Sequence, residues 1–137
     1  MDATQRRQIE PDFNRASSLW AGGQASEALA ILRGLNSRFP DEPTILLMLG
    51  NICFSTKDYA SALPYWEQLV KLKPKYELGS RGLFFTLMRH ERFEDALDEA
   101  HRFIKLCGLT EEYKRIMEEL DSNSVFDRLS GRKPMAE

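Results

Sequence analysis

The sequence has few cysteines, few β-branched aliphatic residues and no long hydrophobic run, and each shortage excludes a class of protein. Two cysteines in 137 residues are too few for a disulfide scaffold and are typical of a chain in a reducing compartment. The longest apolar run, Ile45 to Leu49, is far shorter than a membrane span. The polar first residues do not resemble a secretory signal. We therefore expect a cytoplasmic protein that does not contact a membrane.

The chain also lacks a dominant charge sign. Its 19 Lys plus Arg stand against 21 Asp plus Glu, for a formal net charge of -2, so no global basic field attracts nucleic acid. We expect no nucleic-acid partner. Hydrophobic residues are 42% and charged residues 29% of the chain, which is typical of a folded globular protein. The length allows one domain or a short array of small units.

The choice of aliphatic residues favours helices over strands. Two valines and six isoleucines are set against eighteen leucines, and unbranched or γ-branched side chains lose less rotamer freedom on a helix than β-branched ones. Apolar residues recur at steps of three and four, as in Ala28, Ile31, Leu32 and Leu35, and no stretch alternates long enough for a strand. The sequence therefore predicts an all-α fold.

The chain aligns with itself at an offset of 34 residues without a gap, which indicates a repeat. The shared columns are Ala16, Gly50 and Phe84; Leu19, Cys53 and Leu87; Ala28, Ala62 and Ala96; Leu29, Leu63 and Leu97; and Leu35, Leu69 and Phe103. Each unit is interpreted as two helices joined by a tight turn, with small residues where the backbones approach. A single pair leaves one apolar face uncovered, so the units are expected to stack.

These columns resemble the tetratricopeptide repeat family, whose pattern is W-x2-L-G-x2-Y, then A-x3-F, then P, within 34 residues. The second unit matches best, through Leu46, Leu49, Gly50, Cys53, Tyr59, Ala62, Trp66 and Pro74. The resemblance covers about residues 9–108. It implies a small stand-alone protein with a right-handed superhelical array of three helix-turn-helix repeats and a C-terminal capping helix.

The repeat register divides the chain into six segments. They are a polar N-terminal tail at 1–8, repeats at 9–42, 43–76 and 77–109, a capping helix at 110–121, and a flexible C-terminal tail at 122–137. Thr110 is the expected N-cap of the capping helix, whose apolar stripe is Tyr113, Ile116, Met117 and Leu120. The tail carries apolar side chains at Val125, Phe126 and Leu129.

Three departures from the pattern lead to local expectations. Asp12 and Arg15 occupy usually apolar slots, so the opening turn of the first unit is expected to be frayed or displaced. Pro64 is tolerated in the second unit if Ser61 is the N-cap, because Pro64 then falls at the third helical position. In the third unit, a bulky Phe84 and a small Ala100 are interpreted as a large-for-small exchange.

No residue constellation points to catalysis, a metal or a cofactor. His90 and His101 have no second ligand at metal-binding spacing, and no histidine neighbour would activate Cys53 or Cys107. Gly22-Gly23 is interpreted as a helix-hairpin turn rather than a phosphate loop. The chain is therefore predicted not to be an enzyme.

The resemblance instead implies a protein-binding groove, because the first helix of each repeat lines the concave surface in this family. The corresponding residues are Phe13, Ser17, Trp20, Leu47, Asn51, Phe54, Arg81, Phe85, Met88 and Arg89. Aromatic, arginine and methionine side chains are typical of interaction hot spots. Asn51 is expected to bond a ligand backbone, and Arg81 and Arg89 to pair with acidic side chains. The alternative is that some, notably Leu47 and Phe85, only pack against the next helix.

One subclass of the family is not indicated. Family members that bind the acidic C-terminus of heat-shock chaperones use two lysines, two asparagines and an arginine. The matching positions here hold Phe13, Ser17, Met48, Leu78 and Gly82. The resemblance therefore does not extend to that carboxylate clamp.

The leading functional hypothesis is a non-catalytic adaptor or chaperone that holds a helical or extended segment of a partner protein. Small three-repeat proteins of the family also resemble bacterial secretion chaperones and immunity-type proteins that neutralise a cognate toxin. A different class is an assembly protein that forms homodimers through an end face or through Val125, Phe126 and Leu129. The sequence leaves these alternatives open.

Overall fold

A computed structural model describes residues 2–122, and within these residues the chain forms seven α-helices and no strand. The helices are α1 (Ala3–Ala21), α2 (Ala25–Arg38), α3 (Pro43–Ser55), α4 (Tyr59–Leu72), α5 (Glu77–Arg89), α6 (Phe93–Cys107) and α7 (Glu111–Ser122). The prediction of an all-α fold is confirmed. Val125, Phe126 and Leu129, on which the self-association hypothesis depends, lie outside the described residues.

The helices pack as three antiparallel pairs that stack on one another. The pairs are α1 with α2, α3 with α4, and α5 with α6, and α2 packs on α3 as α4 packs on α5. The first helices α3 and α5 also contact each other directly. This is the helical repeat array that the 34-residue offset predicts. The first helices α3 and α5 therefore each pack against more than one helix, whereas α1 packs mainly against α2.

The turn inside each pair has the same geometry in all three units. A residue in the left-handed region follows the first helix: Gly23 at φ 82°, Lys57 at φ 63° and Glu91 at φ 61°. The next N–H donates back to a carbonyl near the helix end: Gln24 N to Leu19 O at 2.8 Å, Asp58 N to Cys53 O at 2.9 Å, and Arg92 N to Leu87 O at 2.9 Å. This is the Schellman arrangement that satisfies the last carbonyls of a helix.

The beginning of α1 differs from the expected polar tail. Residues 3–8 are helical, and Asp2 caps the helix by accepting from Gln5 N at 2.8 Å, while Gln5 Oε1 accepts from Asp2 N at 3.3 Å. Ile9 is buried in the core at the next turn. A capping box and one buried side chain thus extend α1 toward the N-terminus, beyond residue 9 where the first repeat was expected to begin.

The expected N-cap of α4 is wrong. α4 begins at Tyr59, and the capping residue is Asp58, whose side chain accepts from Ser61 N at 3.3 Å. Pro64 therefore lies inside the helix, where an ordinary residue would donate to the carbonyl of Ala60. Both Ala60 and Pro64 are exposed, so water can bond to that carbonyl.

Two hydrophobic clusters run through the stack. The cluster between the first two pairs is Ile9, Ala16, Ala28, Leu32, Leu35, Ile45, Leu49 and Ile52. The other joins the second and third pairs with α7, and its buried members are Leu46, Cys53, Ala62, Leu63, Trp66, Leu69, Leu83, Phe84, Leu87, Ala96, Ala100, Phe103 and Tyr113. The small-residue column Ala28, Ala62 and Ala96 is fully buried, as the close approach of paired helices requires. Phe84 and Ala100 are both buried, in keeping with the large-for-small exchange.

The Trp66 indole lies between two glycines on different helices. A Cβ added at Gly50 of α3 would fall 2.6 Å from Trp66 Cε2, and one at Gly82 of α5 would fall 2.4 Å from Trp66 Cζ3. Both distances are far inside van der Waals contact. The ring, only 2% exposed, therefore touches the α3 backbone on one side and the α5 backbone on the other.

A buried polar cluster fixes α7 on the third pair. Ser80 Oγ donates to Glu99 Oε2 at 2.6 Å and lies 2.6 Å from the Tyr113 hydroxyl. Because the single hydroxyl hydrogen of Ser80 goes to the carboxylate, Tyr113 is the donor in the second bond. Arg102 completes the cluster with two bonds to Glu99, from Nε at 2.8 Å and from Nη2 at 2.7 Å. Every polar group of the cluster thus has a partner, as burial requires.

The expected cap of α7 is confirmed by its bonds. Thr110 Oγ1 accepts from Tyr113 N at 3.3 Å and donates to Glu77 Oε2 at 2.9 Å. Tyr113 is fully buried, and the rest of the predicted apolar stripe, Ile116, Met117 and Leu120, packs against the same cluster. These side chains of α7 therefore cover the open end of the array.

Replacing Gly82→Ala is expected to lower the free energy of unfolding by at least about 1 kcal/mol, because overpacking against Trp66 costs roughly 1–3 kcal/mol and outweighs the helix propensity of alanine. Gly34→Ala is the matched control, since no neighbouring atom lies within 4 Å of a Cβ there. The control is expected to stabilise by up to about 1 kcal/mol. Urea unfolding measures both, and a Gly82 variant as stable as the wild type would disprove the contact.

The stability of the α7 junction is expected to fall at alkaline pH. Burial raises the pKa of Tyr113 to about 12 from its ordinary 10.0. Because the folded-state pKa lies above the unfolded one, the stabilisation is complete below pH 10 and is lost as the pH rises toward 12, by roughly 2–3 kcal/mol in total.

Urea unfolding of the wild type and Tyr113→Phe between pH 9 and 12 isolates this effect, since the remaining titrating groups are common to both. The wild type is expected to lose more stability over this window than the variant. Parallel curves would show that Tyr113 does not titrate with the expected shift.

Candidate functional site

The first helices present one buried face and one accessible face. All ten predicted groove residues are at least partly accessible: Asn51, Phe85 and Arg89 are exposed, and Phe13, Ser17, Trp20, Leu47, Phe54, Arg81 and Met88 are half-buried. Their neighbours on the same helices, such as Ala16, Gly50 and Leu83, are buried. The predicted residues thus follow the helix face that the core leaves uncovered.

Four of the predicted residues meet in one shallow depression between α3 and α5, which we name the α3–α5 notch. Its lining residues are Leu47 and Asn51 of α3, Leu78, Arg81, Gly82 and Phe85 of α5, and Trp66 below them, around a cavity of about 210 Å³. The notch is therefore a predominantly apolar site with an amide and a guanidinium at its edge.

Three predicted residues line a second and larger depression, the α5–α7 cavity, of about 460 Å³. Its lining residues are Phe84, Phe85, Met88 and Arg89 of α5, Glu91 and Phe93 after it, and Ile116, Glu119 and Leu120 of α7. Phe85, 39% exposed, belongs to both depressions and is the wall between them. The capping helix thus contributes directly to the surface that the predicted groove occupies.

The remaining predicted aromatics have structural contacts of their own. Phe13 and Trp20 pack partly against the cluster of the first two pairs. Phe54 meets Tyr59 edge to face, with ring centroids 5.5 Å apart. These rings support their own unit as well as offering an accessible edge.

The two predicted arginines differ in their electrostatic surroundings. Arg81 Nε lies 3.2 Å from Glu77 Oε2, and both side chains are about one-quarter exposed. Glu77 is also the acceptor for Thr110, so it joins the α7 cap to the notch. Arg89 is exposed and forms no ion pair with residues 2–122. A ligand carboxylate would therefore meet an uncompensated cation at Arg89 and a partly neutralised one at Arg81.

The sequence interpretation missed Leu78, Gly82, Trp66 and the α7 residues as part of this surface. Leu78 is 47% exposed and lies on the same face of α5 as Arg81 and Phe85, three and seven residues later. That spacing was available in the sequence. The contribution of α7 has no such signal, because it depends on where a separate helix docks.

Neither the cysteines nor the histidines are among the residues that line the two depressions. Cys53 is buried, and desolvation raises the pKa of its thiol, so the unreactive protonated form is favoured at neutral pH. His90 and His101 are exposed. Between residues 2 and 122, no three His, Cys, Asp or Glu side chains are grouped as metal ligands would be. None of the described helices combines the length and apolar character of a membrane span.

The fold has close structural relatives at low sequence identity. The first TPR domain of Spaghetti (RPAP3), solved with the HSP90 peptide SRMEEVD, superposes with a TM-score of 0.72 at 15% identity, covering 90% of this chain and 95% of that one. The Sgt2 TPR domain from Aspergillus fumigatus gives 0.73 at 16% identity, with 99% and 88% covered. MamA from Desulfovibrio magneticus RS-1 gives 0.69 at 15% identity, with 94% and 77% covered.

Comparison of the sequence with family models agrees with the structural similarity, whereas the search of curated proteins gives no match. The tetratricopeptide repeat model matches residues 13–77, which span the second half of α1 and all of α2, α3 and α4. Residues 13–77 thus match the tetratricopeptide repeat family, and the stacked helix pairs have the same fold as the solved tetratricopeptide repeat structures.

Proposed function

We propose that this protein is a non-catalytic adaptor or chaperone that binds a helical or extended segment of a partner protein along the α3–α5 notch. The observation that carries the proposal is the apolar edge of α5, where Leu78 and Phe85 remain 47% and 39% exposed along the α5 side of the notch. Exposed large apolar side chains around a concave site are typical of a binding surface.

The lining of the notch favours a partner with an apolar anchor. Leu47, Leu78 and Phe85 surround a depression with the Trp66 ring at its base. An aliphatic or aromatic side chain of the partner would remove this surface from water, and the surrounding contacts would exclude solvent from it. Asn51, exposed at the edge, supplies an amide that can both donate to and accept from a ligand backbone.

The charged residues of this surface indicate a second feature of the partner, its own charge. The HSP90 peptide bound to the RPAP3 domain, SRMEEVD, is acidic. The five clamp positions here hold Phe13, Ser17, Met48, Leu78 and Gly82 and supply no cation. Arg89 at the far end of α5 is the exposed cation on this face of the helix. We therefore favour an apolar segment with one acidic residue beyond its anchor over a terminal carboxylate.

The proposal is tested by affinity capture from the source cells with three full-length baits. Leu78→Ala with Phe85→Ala is expected to reduce recovery of the specific partner by at least about tenfold, since truncating hot-spot residues costs roughly 2 kcal/mol or more. The matched control is Leu72→Ala with Leu106→Ala, which removes side chains 38% and 47% exposed at the ends of α4 and α6. This control is expected to recover the partner as the wild type does.

Circular dichroism checks that both pairs of substitutions leave the fold intact. The partner recovered in this way is then purified, and its affinity for the three proteins is measured by calorimetry. Equal affinity for the wild type and the Leu78/Phe85 variant would show that the partner binds elsewhere.

A further inference from the structure

The α5–α7 cavity is an apolar site at the place where the chain leaves the described structure. Its volume of about 460 Å³ is within the range of ligand-sized pockets. Phe84, Phe85, Met88, Phe93 and Ile116 provide apolar walls, and the charged residues Arg89, Glu91 and Glu119 are also part of the lining. A cavity of this composition suits an apolar side chain flanked by charged ones.

The chain itself supplies such a segment within reach. Leu120 lines the cavity, and α7 ends at Ser122, only two residues later. The 15 residues 123–137 follow in the sequence. Phe126 is six residues beyond Leu120, and six residues span up to about 20 Å when extended, so its side chain can reach the cavity.

The composition of residues 123–129 matches the cavity. Val125, Phe126 and Leu129 are the apolar side chains of the stretch, and Asp127 and Arg128 lie between Phe126 and Leu129. Asp127 can pair with Arg89, and Arg128 with Glu91. Both the apolar and the charged complement of the cavity are thus present in one short segment.

We propose that residues 123–129 dock into the α5–α7 cavity of the same molecule, with Phe126 as the anchor. Attachment to α7 makes the docking intramolecular, and a short linker gives an effective concentration in the millimolar range, well above that of a second copy. The docked segment would cover Met88 and Arg89 and one side of Phe85. A partner bound along α5 would then have to displace it, a consequence that rests on the proposed function, whereas the docking itself does not.

Disulfide cross-linking in the full chain tests the docking. In a Cys107→Ser background, Arg89→Cys is combined with Asp127→Cys, which places one thiol at the cavity and one beside the anchor while Phe126 is kept. Under mild oxidation, we expect an intramolecular disulfide to form at least tenfold faster than in the control pair Ser37→Cys with Asp127→Cys. Ser37 is exposed on α2, in the first unit.

Adding Phe126→Ser to the Arg89/Asp127 pair is expected to reduce the rate several-fold, to the rate that tethering by the linker alone supports. An unchanged rate would overturn the proposal, because proximity would then come from the linker alone. A cross-link mainly between two molecules, seen as a covalent dimer, would also overturn it in favour of a second copy.

Hydrogen exchange of the wild type and the single variant Phe126→Ser provides an independent readout without cysteines. Amides of the last turn of α7 and of residues 85–89 are expected to exchange several-fold faster in the variant. Equal exchange would contradict the docking. Neither experiment uses a partner protein. A negative result would therefore contradict the docking and leave the proposed partner binding untouched, and failure of the partner-binding test would not contradict the docking.

Discussion

The contact of the Trp66 indole with Gly50 and Gly82 is the constraint on which the second half of the array depends. Gly50 belongs to the same unit as Trp66, and Gly82 belongs to the next, so one ring sets both the spacing within a pair and the spacing between pairs. The same ring forms the base of the α3–α5 notch. The packing that holds units two and three together is therefore also the packing that shapes the proposed binding surface.

The sequence predicted most of the fold because its signals are local and repeated. Helix class, pair spacing, the buried alanine column and the Thr110 cap all follow from patterns within a few residues or at a fixed offset. Gly50 is part of the family pattern, but Gly82 shares its column with Asn14 and Met48, so no periodic signal marks it. Its role follows only from the close approach of α4 and α5.

The misplaced helix ends have equally specific causes. The extension of α1 depends on one reciprocal pair of bonds between Asp2 and Gln5 and on the burial of Ile9. For α4, Asp58 and Ser61 are both acceptable caps by residue type, and the left-handed turn at Lys57 decides for the earlier one. Propensity alone cannot separate two good candidates three residues apart.

The sequence could indicate which helix faces are accessible, but it could not indicate where the depressions lie. The accessible face of each first helix is a matter of periodicity, so the exposure of Phe85 and Arg89 could be anticipated. The pairing of Arg81 with Glu77 is a four-residue spacing that the sequence also contains. The two depressions could not be anticipated, since one needs Trp66 below α5 and the other needs α7 docked through Ser80, Glu99 and Tyr113.

The left-handed residue in each intra-pair turn also bears on how the array folds. Gly23 adopts its φ without a side-chain clash, whereas Lys57 and Glu91 pay on the order of 1 kcal/mol each for the same conformation. The first turn therefore adopts this geometry without that steric cost. The second and third turns must be held by packed helices on both sides. The turns of the later units therefore depend more on helix packing than the first turn does.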